Sequence, residues 1–235
     1  MTSKVLVISG ASRGIGKATA IHFRDRGYKV VNLSRSKPHI EGITHLSVDL
    51  TESESVAGVK KKLLTYIDAA EQVTVIHNAG LLLKDSSDAM EVAPFERALR
   101  VNVVMPAVLN AQLIPNMKPG SSILYVGSTL AEKGVANTCS YVVSKHAQLG
   151  LMRTTCQDLS GSGIHTACIC PGFTATEMLS DHVGGSQEVL DALAAGNALE
   201  RLIEPVEIAE TLYFAAQSPV LNGAVIHANL GQLES

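Results

Sequence analysis

The chain has 235 residues, of which 46% are hydrophobic and 17% charged. This composition predicts a single globular domain over 1–235 and excludes disordered, collagen-like and coiled-coil proteins. The net charge of -3 comes without a long run of basic residues, so no nucleic-acid partner is expected.

Short β-branched runs alternate with longer segments of helical period, which is typical of parallel βαβ units. Strands are predicted at 4–9, 29–34, 43–49, 73–77, 121–127, 164–169 and 223–228. Helices are predicted at 14–26, 52–69, 94–117, 140–159, 187–195 and 205–217, with Pro94 and Pro205 at first helical positions. Residues 35–42 are too few for a crossover helix, so a coil or a single turn is predicted there. The expected fold is α/β, a Rossmann-type doubly wound, mainly parallel seven-stranded sheet with helices on both faces.

The cysteines and the apolar runs indicate the compartment. The four cysteines form neither a C-x-x-C pair nor a zinc-finger pattern, which favours a reducing, cytoplasmic setting. The first apolar run covers only 5–8, so neither a signal peptide nor a membrane span is expected. The eight histidines form no cluster with ligand spacing, and no metal site is predicted. Cys168 and Cys170 are interpreted as small core residues on one face of a strand, and Cys139 as a structural residue rather than a reactive thiol.

A glycine-rich turn follows the first strand and opens directly into a helix. It contains Gly10, Gly14 and Gly16 in a G-x-x-x-G-x-G spacing. Glycines let the backbone approach a ligand closely, and a helix N-terminus supplies unpaired N–H groups. The order of strand, turn and helix therefore favours a nucleotide over a plain tight turn.

The end of the second strand indicates which nucleotide binds. Ser34 and Arg35 stand there without an Asp or Glu to hold a ribose 2'-hydroxyl. Arg35 and Arg13 offer positive charge instead, which favours NADP(H) over NAD(H) through a 2'-phosphate. The alternative is that both arginines are ordinary solvated surface residues.

A serine, a tyrosine and a lysine follow the fifth strand. Ser128 comes directly after that strand, and Tyr141 and Lys145 form an i, i+4 pair near the start of a predicted helix. Such a pair shares one helix face, so the ammonium lies beside the phenol oxygen. A phenol normally ionises near pH 10, and a cation about 4 Å away stabilises its anion enough to permit proton exchange nearer neutrality.

Taken together, these motifs resemble the short-chain dehydrogenase/reductase family, in the shorter of its two common sizes. The resemblance runs nearly end to end, and the residues that carry it are Gly10, Ser12, Arg13, Gly14, Ile15, Gly16, Asp49, Leu50, Asn78, Ala79, Gly80, Asn102, Ser128, Tyr141, Lys145, Pro171, Gly172, Thr174 and Thr176. His77 stands where the family usually has Asn, and the last strand lacks the usual Asp-Gly-Gly ending, which leaves contacts between subunits open there. The Tyr-x-x-x-Lys spacing fits poorly to the enoyl reductase branch.

The resemblance implies roles for these residues. Tyr141 would be the general acid/base, Lys145 would assist it and hold a ribose, Ser128 would bind the substrate oxygen and Asn102 would place a relay water. Asp49 and Leu50 would meet the adenine, residues 78–80 the adenosine side and residues 171–176 the carboxamide.

Pro106 gives the Asn102 role a physical basis. A proline has no N–H to bond the carbonyl four residues earlier, so the Asn102 carbonyl is expected to be free for a water that reaches Lys145. An ordinary proline kink is an equal alternative.

The sequence supports three interpretations of function. The first is an NADPH-preferring oxidoreductase that reduces a ketone or aldehyde reversibly, the second an NAD-dependent alcohol or sugar dehydrogenase, and the third a non-catalytic dinucleotide-binding sensor. Residues 177–204 would form a flap over the small-molecule substrate, with Gly184, Gly185 and Gly196 as hinges. The resemblance also implies a homodimer or homotetramer formed through the helices that carry Asn102 and Tyr141.

Overall fold

Seven parallel strands form one sheet in the computed structural model, which describes residues 3–233. The strands are β1 Lys4–Ser9, β2 Lys29–Ser34, β3 Thr44–Ser47, β4 Gln72–His77, β5 Ser122–Val126, β6 His165–Pro171 and β7 Ala224–Ala228. Their order across the sheet is β3-β2-β1-β4-β5-β6-β7. Strands β2 and β3 are added on one side of β1 and strands β4 to β7 on the other, so the strand order reverses between β1 and β4. The predicted Rossmann-type doubly wound sheet is confirmed, and ligands of such sheets bind at the carboxyl ends of the strands near this switch point.

The described part of the chain contains eight α-helices. They are α1 Gly14–Arg24, α2 Ser53–Asp68, α3 Val92–Leu99, α4 Met105–Leu113, α5 Cys139–Asp158, α6 Glu177–His182, α7 Gln187–Ala195 and α8 Pro205–Ala216. Buried side chains of α1 and α8 form the core on one face, and those of α2, α4 and α5 form the core on the other.

Alternation along the central strand produces these two cores. In β1, Val5 and Val7 pack on the face of α2, α4 and α5, whereas Leu6 and Ile8 pack on the face of α1 and α8. All four side chains are at most 3% exposed. Burial of a side chain of this size contributes about 1.5–3 kcal/mol, so a strand that is apolar on both faces is stable only between two helical layers.

The helix predicted over 94–117 differs from the structure at both ends and in the middle. It begins at Val92, which makes Pro94 the third helical residue rather than the first. A proline is tolerated there because an N–H in the first turn of a helix would have no intrahelical acceptor. A π-helical turn at Arg100–Val104 separates α3 from α4, just before Pro106, which cannot supply a regular backbone hydrogen bond. A 3₁₀ turn at Ile114–Asn116 follows α4.

This helical stretch also bears on the expectation that no membrane span exists. Val92–Asn116 is long and apolar enough to cross a membrane by length and composition alone. Met105, Leu109 and Leu113 nevertheless lie fully inside the core, at most 2% exposed. These three residues pack in the core, and 44% of the apolar window is buried inside the fold.

Most other boundaries differ from the prediction by one or two residues. Strand β3 is shorter than predicted and ends at Ser47, because the chain turns at Asp49, whose carboxylate binds Thr51. The short helix α6 was not predicted at all. Residues 35–42 contain only bends and a turn, as predicted.

Candidate active site

A cavity of about 1640 Å³ opens at the carboxyl ends of the parallel strands. Its volume exceeds the roughly 300–1,000 Å³ of a typical small-ligand pocket, which suits an elongated ligand together with a small substrate. All but one of the residues that the sequence predicted for the site line this cavity. They are Gly10, Ser12, Arg13, Gly14, Ile15, Gly16, Ser34, Arg35, Asp49, Leu50, Asn78, Ala79, Gly80, Ser128, Tyr141, Lys145, Pro171, Gly172, Thr174 and Thr176. The exception is Asn102, which lies behind the cavity wall.

The glycine-rich turn packs so closely that side chains cannot replace two of its glycines. Gly10 has a φ of 75°, and a Cβ on it would lie 3.0 Å from the Cα of Ala79. A side chain on Gly16 would collide with the Gly10 carbonyl and the Asn78 amide. The turn leaves the N-terminus of α1 at the cavity with no side chain capping it. Unpaired N–H groups and the positive end of the helix dipole fit a pyrophosphate there.

Three polar side chains hold this turn in place. The Asn78 amide donates to the carbonyls of Ser9 and Gly10, both at 3.0 Å. The Ser9 hydroxyl in turn accepts from the Asn78 backbone N–H at 3.0 Å. Asn32, fully buried in β2, accepts from the backbone N–H of Ala11 at 2.9 Å. Asn32 is a site residue that no motif identifies, although an asparagine inside an apolar strand is itself a signal of a buried polar contact.

The ends of β2 and β3 form the part of the cavity expected to hold an adenosine. Both the backbone N–H and the hydroxyl of Thr51 donate to Asp49 at 2.8 Å. These bonds lower the pKa of Asp49, and the nearby charge of Arg35 lowers it further. The Ser34 hydroxyl donates to the Ser36 carbonyl at 2.8 Å. Arg35 lines the cavity and forms no ion pair within the described residues.

Arg13 forms an ion pair with the segment that was predicted to be the substrate flap. Its Nη1 lies 3.2 Å from the Oδ2 of Asp181 in α6. Both side chains are largely exposed, at 56% and 69%, so the pair is weak. The two arginines predicted to hold a 2'-phosphate therefore differ, because Arg13 forms an ion pair with a carboxylate, whereas Arg35 forms none and interacts with Asp49 only at longer range.

Ser128, Tyr141 and Lys145 come together at the carboxyl end of β5. Ser128 is nearly buried, and its hydroxyl accepts from the Leu130 N–H at 3.1 Å. The Nζ of Lys145 lies 5.4 Å from the centre of the Tyr141 ring. Lys145 is only 3% exposed, and its ammonium donates to the Val126 carbonyl at 2.7 Å. A hydroxyl, a phenol and a cation thus share one wall of the cavity, as the sequence predicted.

Asn102 lies in the π-helical turn, directly behind Gly80. Its side chain accepts from the Leu81 N–H at 2.8 Å and donates to the Ser144 hydroxyl at 2.8 Å. The expectation of a free Asn102 carbonyl was wrong, because Nε2 of Gln148 donates to it at 3.1 Å. The sequence reasoning considered only hydrogen bonds within one helix, whereas this donor comes from α5.

The start of α5, which carries Tyr141, is fixed by a residue from a distant loop. The Asp85 carboxylate accepts from the Ser140 N–H at 3.0 Å, and the Asp85 carbonyl accepts from the Cys139 N–H at 3.2 Å. The Asp85 N–H donates to the Asn137 carbonyl at 3.2 Å. Asp85 therefore satisfies first-turn N–H groups of α5 that have no intrahelical acceptor. No local pattern in the sequence indicates this contact.

The turn after β6 closes the far side of the cavity. A Cβ on Gly172 would lie 3.0 Å from the Cα of Asn229, so the backbone passes closely there. The Thr174 hydroxyl donates to the Gly172 carbonyl at 3.0 Å. The Thr176 hydroxyl caps α6 by accepting from the Leu179 N–H at 3.3 Å.

Residues 177–204 contain α6 and α7, and Met178 of α6 lines the cavity. Between these helices Gly184 and Gly185 have φ values of 68° and 72°, with open space around both. Gly196, the third predicted hinge, has an ordinary φ of -78°. Only the first two therefore adopt a backbone conformation that requires glycine.

Two thiols lie beneath the cavity floor. The Sγ atoms of Cys168 and Cys170 are 3.8 Å apart on one face of β6, and both residues are buried. A side chain on Gly127 would collide with both sulfur atoms. This placement agrees with the interpretation of the two cysteines as small core residues. Within residues 3–233 no group of three or more His, Cys, Asp or Glu residues is placed to hold a metal ion.

A family model described as "Enoyl-(Acyl carrier protein) reductase" matches residues 10–232 of the chain. An uncharacterized oxidoreductase of Thermotoga maritima is 30% identical, over 97% of this chain and 96% of the relative. NADPH-dependent aldehyde reductase 2, chloroplastic, of Arabidopsis thaliana is 28% identical, over 99% of this chain and 95% of the relative. Among solved structures, the ligand-free aldohexose dehydrogenase of Thermoplasma acidophilum superposes with a TM-score of 0.89. It is 25% identical and covers 98% of this chain and 94% of its own.

Proposed function

The chain belongs to the short-chain dehydrogenase/reductase family and is an NAD(P)-dependent oxidoreductase, and from this we propose that it is an NADPH-preferring reductase of a ketone or aldehyde. The observation that carries the proposal is the convergence of Ser128, Tyr141 and Lys145 on one cavity wall, beside a turn that fits a pyrophosphate. A protein that only bound a dinucleotide would have no use for a phenol paired with a buried ammonium.

The chemistry divides between the cofactor and the side chains. A bound nicotinamide supplies hydride to the carbonyl carbon or takes it back. We assign to Ser128 and Tyr141 the binding of the substrate oxygen, and to the Tyr141 hydroxyl the proton that this oxygen receives in the reductive direction. Lys145 stabilises the phenolate that remains, because its ammonium is buried, where Coulomb attraction is less screened than in water.

The preference for NADPH is supported by the end of β2. Ser34 and Arg35 stand at the cavity there without a carboxylate that would repel a 2'-phosphate. Asp49, whose pKa the hydrogen bonds from Thr51 lower, lies at the neighbouring strand end, where we assign it to the adenine. The NADPH-dependent aldehyde reductase 2 of Arabidopsis thaliana is a relative over nearly the whole chain.

Titration with NADPH and with NADH tests the cofactor preference. The fluorescence of the reduced nicotinamide is the signal, and no tryptophan interferes because the chain has none. We expect NADPH to bind about tenfold more tightly or better. Tighter NADH would contradict the preference, and binding of neither would contradict the enzyme assignment.

Turnover in a panel of aldehydes and ketones tests the proton donor. Tyr141→Phe should bind NADPH as the wild type does and lose turnover by several orders of magnitude, because it lacks the hydroxyl. Tyr66→Phe is a matched control, since Tyr66 lies on α2 and does not line the cavity. Retained activity in Tyr141→Phe would refute the assigned role.

The description of the matching family model names a different reduction. We favour a carbonyl substrate because Tyr141 and Lys145 are one helical turn apart and Ser128 faces them, a constellation placed to receive and protonate an oxygen atom. Reduction of an enoyl thioester in preference to every aldehyde and ketone would overturn this choice.

We extend the proposal to the surroundings of the site. Residues 177–204 act as the substrate flap, hinged at Gly184 and Gly185, in one domain over 1–235.

The exposed Val104 and Val143, on the helices that carry Asn102 and Tyr141, support a homodimer or homotetramer through that face. A monomer in light scattering at assay concentration would contradict the oligomer. A cytoplasmic location is the accompanying prediction, for localisation by fractionation to test.

A further inference from the structure

A buried glutamine connects two of the groups on which the site depends. The Oε1 of Gln148 accepts from the Lys145 ammonium at 3.1 Å, and its Nε2 donates to the Asn102 carbonyl at 3.1 Å. Gln148 is fully buried, and both ends of its amide are satisfied. Neither the sequence motifs nor the proposed reaction assigns it a role.

The network continues in both directions from this amide. On one side the Lys145 ammonium also binds the carbonyl of Val126, at the end of β5. On the other side the Asn102 side chain binds Leu81 and Ser144. Two of the three ammonium donors are thereby held by acceptors within the protein, and the third is left for the cavity side.

A neutral acceptor differs from a charged one at this position. A buried ammonium must be hydrogen-bonded, and a carboxylate would meet that need but would also cancel the positive charge. A carboxamide meets it and leaves the full charge to act on Tyr141. The titratable groups near the Lys145 charge are Tyr141 on its own helix and the thiols of Cys168 and Cys170 on β6. Within the described residues no carboxylate forms an ion pair with Lys145.

We propose that Gln148 is a positioning residue of this site, which holds the Lys145 ammonium toward Tyr141 and links it directly to the Asn102 carbonyl without neutralising it. The Gln148 amide thus connects the Lys145 ammonium and the Asn102 carbonyl, the two groups that the sequence suggested a water would connect. The inference rests on the proposed role of Tyr141 as proton donor.

The ionisation of Tyr141 in the protein without cofactor tests the role of Gln148. Tyrosinate formation is followed by ultraviolet absorbance against pH, and subtraction of the same titration on a Tyr141→Phe background isolates one of the five tyrosines. Gln148→Glu keeps an acceptor for Lys145 but adds a negative charge. We expect it to move the Tyr141 midpoint upward by about one pH unit or more.

Asn110→Asp is the matched control. Asn110 is another buried amide, on α4, and it binds His77 and Tyr125 rather than Lys145. We expect its Tyr141 midpoint to stay within about 0.3 pH units of the wild type, because its carboxylate does not contact the ammonium. An equal shift in Asn110→Asp and Gln148→Glu would overturn the proposal, since any buried charge would then suffice.

A second variant covers the case in which Gln148→Glu does not fold. Gln148→Met has a similar length but accepts no strong hydrogen bond, so the ammonium loses the group that orients it. We expect a smaller upward shift of the Tyr141 midpoint, of about half a pH unit, and a loss of kcat that exceeds any change in KM. A folded Gln148→Met with the wild-type midpoint and kcat would refute the proposal.

The titration also separates this inference from the proposed function, because it requires no turnover. A shifted midpoint in a chain that reduces no carbonyl compound would refute the reductase assignment and support the role of Gln148. Turnover with an unshifted midpoint in Gln148→Glu would refute the role of Gln148 alone.

Discussion

The two arginines near the cavity should contribute unequally to NADPH binding, because of these two only Arg13 forms an ion pair among the described residues, whereas the charge of Asp49 acts on Arg35 from a longer distance. Arg13 is paired with Asp181 at 3.2 Å, whereas Arg35 lines the cavity without an ion pair among the described residues. A charge-assisted hydrogen bond to a phosphate is worth about 1.5–3 kcal/mol. Arg35→Ala should therefore weaken NADPH binding by roughly 10-fold to 150-fold and leave NADH binding within about twofold.

Arg13→Ala should cost less than Arg35→Ala, because binding through Arg13 first breaks the pair with Asp181. Exposed ion pairs of this kind are worth about 0.2–1 kcal/mol. Asp181→Asn removes the competitor and should tighten NADPH binding by roughly 1.4-fold to fivefold, again with little effect on NADH. Tighter NADPH binding after loss of the Asp181 charge is the result that distinguishes this prediction.

The assay is the nicotinamide fluorescence titration, repeated at two salt concentrations because contacts between exposed charges weaken with ionic strength. Arg153→Ala is the control, since Arg153 is exposed on α5 and does not line the cavity. The reasoning is refuted if Arg35→Ala weakens NADPH and NADH equally. Weaker NADPH binding in Asp181→Asn would refute the assignment of Asp181 as a competitor.

Three further predictions concern the support of the site. Gly16→Ala should abolish measurable dinucleotide binding in the same titration, because its Cβ would collide with the Gly10 carbonyl and the Asn78 amide, whereas Gly58→Ala, whose Cβ meets nothing within 4 Å, should bind normally. Asp85→Ala should lower Tm by about 2–4 °C and reduce kcat, because the Ser140 N–H loses its acceptor. Asp85→Asn retains an acceptor oxygen and should lose less Tm. An equal loss of Tm in both variants would contradict the assigned role of Asp85. Burial lowers the pKa of His77 to about 4, so between about pH 6.5 and 4 the unfolded chain binds a proton that the folded chain excludes. His77 should therefore lower the free energy of unfolding by about 3 kcal/mol as pH falls through that window in urea titrations. His77→Asn should lose this contribution and keep those of His22, His45 and His182, whose pKa values burial also lowers.

Regular elements were predictable where the local pattern was strong. The bounds of β1 and β2 match the prediction residue for residue, because each is a short, mainly apolar run that begins with a lysine and ends with a serine beside a turn. The short helix α6 was missed because six residues are too few for a helical period to be recognised, and its start depends on the Thr176 cap. The π-helical turn was missed because a regular period continues on both sides of it.

The sequence by itself determined the fold class, the glycine turn and the identity of the residues around the cavity, because motifs that follow successive parallel strands must meet at one edge of the sheet. Only the tertiary structure decided how these residues are held. Asp85 lies 55 residues from Ser140, Gln148 lies 46 from Asn102 and Arg13 lies 168 from Asp181. These partners belong to different elements, and their contact depends on how helices and loops pack on the sheet, which no period or spacing within one segment encodes.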